Sequence, residues 1–174
     1  MDFNFQKMNQ QDAEEIANNW KYDGIYSFYD FTNDPEDYME LINPDKRLNN
    51  YFSCYFNKEL IGFCTIEKID KNKVNLGLGL RPNFTGKGLG LNFLKAIMNY
   101  SNSIYNKFNF TLIVAQFNLR AIRVYEKAGF IKKKTFMQNT NGGQYEFIEM
   151  ESKTNEQNLR VEIETAGPVG KEKC

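Results

Sequence analysis

Hydrophobic positions along the chain follow two periods, one typical of half-buried strands and one typical of amphipathic helices. Segments rich in aromatic and β-branched residues predict seven strands, at 3–8, 51–56, 60–69, 74–80, 110–116, 130–136 and 144–150. Helical spacing predicts four helices, at 9–20, 34–42, 90–105 and 118–129. Antiparallel runs followed by a β-α-β crossover predict an α/β (α+β) fold, in which about four helices flank a mixed, mostly antiparallel sheet of six to seven strands.

Length and hydropathy predict one soluble domain. The chain has 174 residues, enough for one substantial core, so we expect a single domain over 1–151 and a polar tail at 152–174. Within that tail, the pattern of 159–165 allows one extra strand. The N-terminus is acidic and polar, and no apolar run reaches the roughly 18 to 20 residues that span a bilayer. These features predict a cytoplasmic protein without a membrane partner.

Two residue types limit the chemistry. The chain contains no histidine, which excludes Ser-His-Asp and Cys-His nucleophile systems and any histidine-ligated metal. Its three cysteines are odd in number and have no Cys-x-x-Cys spacing, so we expect neither a disulfide framework nor a metal site. Cys54 and Cys64 are predicted to be buried apolar residues.

Charge is distributed unevenly although the net charge is zero. Residues 1–60 contain 12 acidic and 5 basic residues, whereas residues 61–150 contain 5 acidic and 13 basic residues. This split is consistent with an anionic ligand at the middle of the chain and a cationic group near the N-terminal part. Mutual neutralisation of the two halves explains it equally well. The dense basic stripe of a nucleic-acid binder is not seen, so no nucleic-acid partner is expected.

The stretch "NLGLGLRPNFTGKGLG" at 75–90 contains five glycines. Gly77 and Gly79 interrupt a strand pattern, which indicates a bulge or a strand edge that accepts a ligand. The other three glycines open a helix, where free backbone amides and the helix dipole favour a phosphate group. Spacing argues against a Walker loop, and Pro82 breaks the Rossmann fingerprint.

Two segments resemble signatures of the GCN5-related N-acetyltransferase (GNAT) superfamily. "LGLRPNFTGKGLGLNFL" (78–94) is similar to its acetyl-CoA-binding motif, and "NLRAIRVYEKAGF" (118–130) is similar to its second signature. The resemblance implies that the parallel strands 74–80 and 110–116 splay apart at their carboxyl ends. It also implies that 60–150 is an acetyl-CoA-binding core and 1–50 a variable acceptor-side part.

The same resemblance implies a set of residues that bind acetyl-CoA as cosubstrate. The backbones of Leu78 and Leu80 would pair with its pantetheine arm, with a bulge at Gly79. The full expected set is Leu78, Gly79, Leu80, Thr85, Gly86, Lys87, Gly88, Leu89, Gly90, Asn118, Ala121 and Tyr125. Thr85 stands where the family usually has Gln or Arg, so one side-chain contact to the diphosphate is expected to be lost. The basic residues of 118–129 offer further phosphate contacts, or form an ordinary solvated helix face; they are Arg120, Arg123 and Lys127.

Acyl transfer to an amine needs a proton donor for the leaving sulfur and a route for the proton of the amine. Tyr125 matches the family's tyrosine that protonates the thiolate, so it is the expected catalytic residue. Strand 74–80 lacks the Glu that many relatives carry, which leaves Glu67, Glu149 or a water chain as the base. A catalytically silent acyl-CoA-binding domain is therefore an alternative to an enzyme.

Aromatic residues concentrate at 19–31 next to Asp23 and Asp30. Aromatic rings with carboxylates suit a cationic amine, whereas a hydrophobic lid over the sheet is the other interpretation. We expect the acceptor to be a small cationic amine or an amino-acid-like metabolite, with a protein N-terminus as the alternative. Whether the chain is a monomer or a homodimer is left open by the sequence.

Overall fold

One sheet contains the strands in the order β1-β2-β3-β4-β5-β7-β6. The structure, a computed structural model, describes residues 2–105 and 109–152. The strands are β1 (Asn4–Lys7), β2 (Tyr51–Phe56), β3 (Glu59–Lys68), β4 (Lys73–Leu80), β5 (Asn109–Ala115), β6 (Phe130–Thr140) and β7 (Gly143–Ser152). β4 and β5 pair in parallel and the other neighbours pair antiparallel, which confirms the predicted sheet.

Side-chain caps mark the beginning of three of the four predicted helices, the helix predicted at 90–105 being the exception. In the described part of the chain the α-helices are α1 (Gln10–Asn19), α2 (Pro35–Ile42), α3 (Pro44–Arg47), α4 (Gly90–Ile104) and α5 (Leu119–Lys127). Asn9 Oδ1 accepts a hydrogen bond from the Asp12 N–H at 2.8 Å, and the Asp34 carboxylate caps α2. α4 is the longest helix with 15 residues, and no helix in the described ranges has the length and apolar character of a bilayer span.

Some elements differ from the predicted ones. Residues in the aromatic stretch form two 3-10 turns, Gly24–Tyr29 and Phe31–Asn33, and the short helix α3 was not predicted. β6 is longer than expected because Asn141 and Gly142, both with positive φ, make a tight turn that lets it pair with β7 to its end. The candidate strand at 159–165 lies outside the described residues.

Hydrophobic side chains pack on both faces of the sheet. On one face, residues of α4 and α5 form the larger core with the sheet; they include Phe93, Leu94, Ile97 and Ile122. On the opposite face, Trp20 and residues of α1 and α2 form the smaller core; they include Ala13, Ile16, Ala17 and Leu41. Cys54 and Cys64 are fully buried, as predicted, and burial raises the pKa of both thiols.

β4 and β5 pair only near their amino-terminal ends. Their parallel pairing covers three residues of each strand and ends at Asn75 and Thr111. Beyond that point β4 continues along β3, whereas β5 continues along β7. We call the unpaired parts, 76–80 of β4 and 112–115 of β5, the split. The expected separation of these parallel strands at their carboxyl ends is confirmed.

Gly79 does not mark a bulge, so that prediction was wrong. The register between β3 and β4 is continuous, and Gly79 lies directly opposite Phe63. A Cβ atom on Gly79 would lie 2.8 Å from the Phe63 Cζ atom, so the aromatic ring occupies the space of a side chain. The register shift of the antiparallel half lies instead between β2 and β3, at Cys54 and Tyr55.

Candidate active site

Peptide groups of β4 point into the split. The Arg81 N–H donates to the Ile61 carbonyl at 2.8 Å, so the opposed residues Leu80 and Gly62 exchange no hydrogen bond with each other. Hydrogen-bonded and non-hydrogen-bonded residue pairs alternate along two antiparallel strands, so Leu78, two residues from Leu80, also exchanges no hydrogen bond with β3. The amides and carbonyls of Leu78 and Leu80 therefore face away from β3 and into the split, as expected for a strand that accepts a ligand.

A residue of the N-terminal part already contacts this edge. The Tyr22 hydroxyl donates to the Leu80 carbonyl at 2.8 Å, and the Tyr22 N–H donates to Asp30 Oδ1 at 2.9 Å. Burial, followed by the Asp30 charge, raises the pKa of Tyr22, so its hydroxyl remains a proton donor at neutral pH. A ligand pairing with β4 would thus share the Leu80 carbonyl with Tyr22.

The loop between β4 and α4 has the geometry of an anion site. Gly86 and Gly88 have φ values of 71° and 77°, a left-handed conformation that side chains rarely adopt. Leu89 is the N-cap of α4 and supplies no capping hydrogen bond. The first amides of α4 have no carbonyl partner within the helix, so they and the helix dipole favour an anion. We call residues 85–90 the glycine loop.

The other residues of the glycine loop have distinct contacts. The Thr85 hydroxyl donates into the preceding turn at 2.8 Å, so this side chain stabilises the loop itself. Lys87 is exposed, with its ammonium 5.9 Å from the centroid of the Phe84 ring. A Cβ on Gly90 would lie 3.2 Å from Val124 Cγ2, so this glycine allows α4 to approach α5 closely.

Arg120 brings a positive charge to the glycine loop. Its Nη1 atom lies 3.9 Å from the position that a Cβ would take on Gly86. Its guanidinium carbon lies 3.6 Å from the centroid of the Tyr26 ring, which holds it in place by a cation-π contact. The two sequence motifs, far apart along the chain, therefore meet at this point.

α5 carries the remaining predicted site residues. Asn118 Oδ1 accepts from the Ala121 N–H at 3.2 Å, while Asn118 Nδ2 donates to the Tyr29 hydroxyl at 3.1 Å. Tyr125 follows on the same helix and is buried, with its ring centroid 6.2 Å from that of Phe130. Burial, followed by the nearby Tyr29, raises the pKa of Tyr125, so its hydroxyl stays protonated at neutral pH.

The aromatic stretch forms a cover over the end of the split. The Phe28 ring lies 5.2 Å from Phe117, 4.8 Å from Tyr145 and 6.2 Å from Phe147, measured between centroids. Asp30 is buried and engaged with Tyr22, so it is internal to the cover. These contacts favour the lid interpretation over an amine cage.

The sheet face opposite α4 and α5 is only partly covered near its centre, where several residues are half-buried and one is exposed. Tyr51, Thr65 and Gly77 lie in one row across β2, β3 and β4. On β5, Ile113 is 48% exposed although its strand is central, and it lies opposite Glu149 of β7. We call this partly exposed surface, which borders the split, the central face.

Three carboxylates lie beside the central face, near Tyr51. The Tyr51 hydroxyl donates to Glu40 Oε1 at 2.6 Å. Burial is the main cause of the raised pKa of Tyr51, followed by the charges of Glu40, Asp37 and Glu67. All three carboxylates therefore lie near the Tyr51 hydroxyl. We call Asp37, Glu40 and Glu67 the acidic group. Within the described residues none of them forms an ion pair.

The two candidate bases lie at different distances from the split. Glu67 is opposite Asn75, at the closed end where β4 and β5 still pair. Five residues of strand separate that row from Leu80, about 16 Å. Glu149 lies nearer, two residues along and one strand across from Ala115, about 8 Å. Its carboxylate binds the Lys134 ammonium at 2.9 Å.

A comparison with protein families matches residues 2–131 to the acetyltransferase (GNAT) domain. The chain belongs to this family. The match covers well over half of the chain and includes both segments that carry the resemblance, 78–94 and 118–130. The expectation of a GNAT N-acetyltransferase is therefore confirmed. No curated protein matches the chain.

Solved structures of GNAT proteins share the fold. One is a chimera of the spermidine N-acetyltransferase SpeG from Vibrio cholerae and hSSAT, with 22% identity and a TM-score of 0.67, covering 90% of this chain and 98% of that one. Another is the Vibrio cholerae spermidine N-acetyltransferase in complex with CoA and spermine, with 21% identity, a TM-score of 0.66 and coverage of 86% and 94%. A probable acetyltransferase has 19% identity, a TM-score of 0.69 and coverage of 88% and 94%.

Sequence reasoning did not anticipate how the N-terminal part of this GNAT domain enters the site. Tyr22 and Tyr29 were noted only as aromatic rings, yet their hydroxyls bond to the two sides of the split. The available signal was the density of tyrosine in the stretch. It identified a segment that packs on the sheet, but it could not identify which hydroxyl meets which strand.

Proposed function

We propose that this GNAT acetyltransferase moves the acetyl group of acetyl-CoA to a primary amine by direct attack, with donor and acceptor bound together. One observation carries the proposal: an uncapped helix start with left-handed glycines stands beside a strand whose peptide groups face an open split. An acyl donor with a diphosphate and an amide-containing arm needs these two features side by side. The residues present therefore fit acetyl-CoA.

The chain's own groups would hold the donor in two ways. Backbone amides of the glycine loop, from Gly86 to Gly90, would bind the diphosphate, with Arg120 and Lys87 adding positive charge. Thr85 is turned into its own loop, so the amides and not this side chain would do the binding. Peptide groups of Leu78 and Leu80 would pair with the arm as a further strand. Asn118 lies at the opposite side of the split.

Tyr125 is proposed as the general acid. The amine attacks in its neutral form; the C–N bond forms, the C–S bond breaks, and the sulfur takes a proton from the Tyr125 hydroxyl. The proton released by the nitrogen returns through solvent to the phenolate, so protons balance over one turnover. Burial raises the pKa of Tyr125, which keeps the required proton on the hydroxyl between turnovers.

We propose a small cationic amine as the acceptor. The acidic group lies beside the central face without a basic partner among the described residues, so a cation there would gain favourable electrostatics. Similar structures are named as spermidine N-acetyltransferases, and such an amine carries the positive charges that the acidic group would attract.

Glu149 is the better placed of the two candidate bases, acting through water. The distance of about 8 Å joins backbone positions of Glu149 and Ala115, and the Glu149 side chain with one or two bridging waters would span it. Glu149 binds the Lys134 ammonium, whereas Glu67 lies opposite Asn75, where β4 and β5 still pair. We assign Glu67 to the acceptor side and Glu149, with water, to the proton route.

The test is a steady-state assay of CoA thiol release with acetyl-CoA and a panel of amines. The panel contains a polyamine, a monoamine, an amino acid and a peptide with a free N-terminus. Release that depends on amine, with the highest kcat/KM for the polyamine, supports the proposal. Binding of acetyl-CoA without release for any amine would contradict it and favour a silent acyl-CoA-binding domain.

A further inference from the structure

Tyr29 joins the N-terminal cover to the strand side of the split that carries the second motif. Its hydroxyl meets Asn118, a residue 89 positions away along the chain. The Asn118 carbonyl oxygen is engaged by the Ala121 N–H, so the amide nitrogen is the end that faces Tyr29. The Tyr29 oxygen is therefore the acceptor of this hydrogen bond, and its own proton is not used in it.

A backbone group of β5 also faces this oxygen. The Gln116 N–H donates to the Glu146 carbonyl at 2.9 Å, so the opposed pair Ala115 and Phe147 exchanges no hydrogen bond. The Ala115 amide consequently points into the split. Burial raises the pKa of Tyr29, whereas Asn118 and the Ala115 backbone each act to lower it, as N–H groups directed at a phenol oxygen do.

With N–H groups on its oxygen, the Tyr29 hydroxyl has its proton left to donate. After burial, the nearby Tyr29 contributes to the raised pKa of Tyr125, so the two hydroxyls lie near each other in one site. Packing fixes the ring independently of the hydroxyl: the Tyr29 centroid lies 5.2 Å from that of Phe28 and 6.2 Å from that of Phe117. A preorganised donor of this kind is suited to a developing negative charge.

Resting on the proposed function, we propose that the Tyr29 hydroxyl donates a hydrogen bond to the carbonyl oxygen of the acetyl group. This bond stabilises the negative charge that develops on that oxygen as the amine attacks. Tyr29 keeps its proton throughout, while Tyr125 supplies the proton to the sulfur. The two tyrosines thus act on different atoms of the thioester, one from the variable N-terminal part and one from α5.

Infrared difference spectroscopy of acetyl-CoA labelled with ¹³C at the acetyl carbonyl tests this directly. The labelled thioester is bound without amine to the wild-type chain, Tyr29→Phe and Tyr125→Phe. A hydrogen bond to the carbonyl lowers its stretching frequency, so the band in Tyr29→Phe should lie at higher frequency than in the wild type. Tyr125→Phe should leave the band in place because the proposed partner of that hydroxyl is the sulfur and not the carbonyl oxygen.

Kinetics and binding complete the test. Tyr29→Phe should lower kcat about 100-fold, with the Kd of CoA changed by less than about twofold. The matched control is Tyr38→Phe. It removes a hydroxyl of α2 that donates to Asn18 Oδ1 of α1 at 3.0 Å, and it should leave kcat unchanged.

An identical carbonyl band in the wild type and Tyr29→Phe overturns the inference, and so does a loss of activity that arises only from weaker CoA binding. The second result would mean that Tyr29 merely positions Asn118. If the wild-type chain shows no bound carbonyl band at all, the proposed function itself fails. The two failures are therefore distinguishable.

Discussion

Replacing Gly88 by alanine tests whether the glycine loop binds through its backbone amides. Gly88 has a φ of 77°, and a Cβ there would meet nothing within 4 Å. The substitution therefore causes no clash, and its cost is that of a left-handed backbone in a residue with a side chain, about 1 to 2 kcal/mol. If the loop relaxes to negative φ instead, its amides turn away from the anion.

The matched control is Gly142→Ala. Gly142 has a φ of 70° in the β6–β7 turn and likewise has nothing within 4 Å of an added Cβ. Both variants should lose about 1 kcal/mol of unfolding free energy in urea titrations. Only Gly88→Ala should raise the Kd of CoA, measured by isothermal titration calorimetry. Each 1.4 kcal/mol of binding free energy that is lost when the loop amides turn away from the anion corresponds to about a tenfold increase in Kd. Equal CoA affinity in the two variants would refute backbone recognition by the loop.

Three further results are expected. Tyr125→Phe should lower kcat about 100-fold with unchanged CoA affinity. Because the pKa of Tyr125 is raised, loss of its proton should not lower the wild-type kcat below about pH 10. A fall of the wild-type kcat below that pH, absent in Tyr125→Phe, would contradict this. Glu67→Gln should raise the KM of a dicationic amine several-fold and spare that of acetyl-CoA, whereas equal effects on both would remove Glu67 from the acceptor side. Burial, then neighbouring carboxylates, raises the pKa of Asp37 to about 6, above its unfolded value. The contribution of Asp37 to stability is fully present below about pH 4, where its carboxyl is protonated in both states, and is lost as the pH rises through about 6. In urea titrations, the unfolding free energy of the wild type relative to Asp37→Asn should therefore fall over this range.

Local signals in the sequence were sufficient for most elements. Asn9, Asp34 and Asn118, the first residues of three predicted helical segments, cap α1, α2 and α5, because a short polar side chain there accepts from a free amide of the first turn. The separation of β4 and β5 came from the family resemblance and not from periodicity. The glycine loop was predicted from composition, since left-handed backbone at Gly86 and Gly88 excludes most other residues.

Contacts between distant residues could not be predicted. Gly79 was expected to mark a bulge, but it is required by Phe63 on the neighbouring strand. A glycine in a bulge and a glycine beneath an aromatic ring leave the same pattern in one sequence. Tyr29 and Asn118 likewise meet only after folding. The missed features are therefore those that depend on strand register and on packing across the sheet.

The most direct test of the account is a titration of the ¹⁵N-labelled chain with CoA, followed by amide NMR. The account predicts that the amides of Gly86, Gly88 and Gly90 shift as the diphosphate binds, together with those of Leu78 and Leu80 as the arm enters the split. Saturation of the chain with CoA while these five amides stay in place would contradict it.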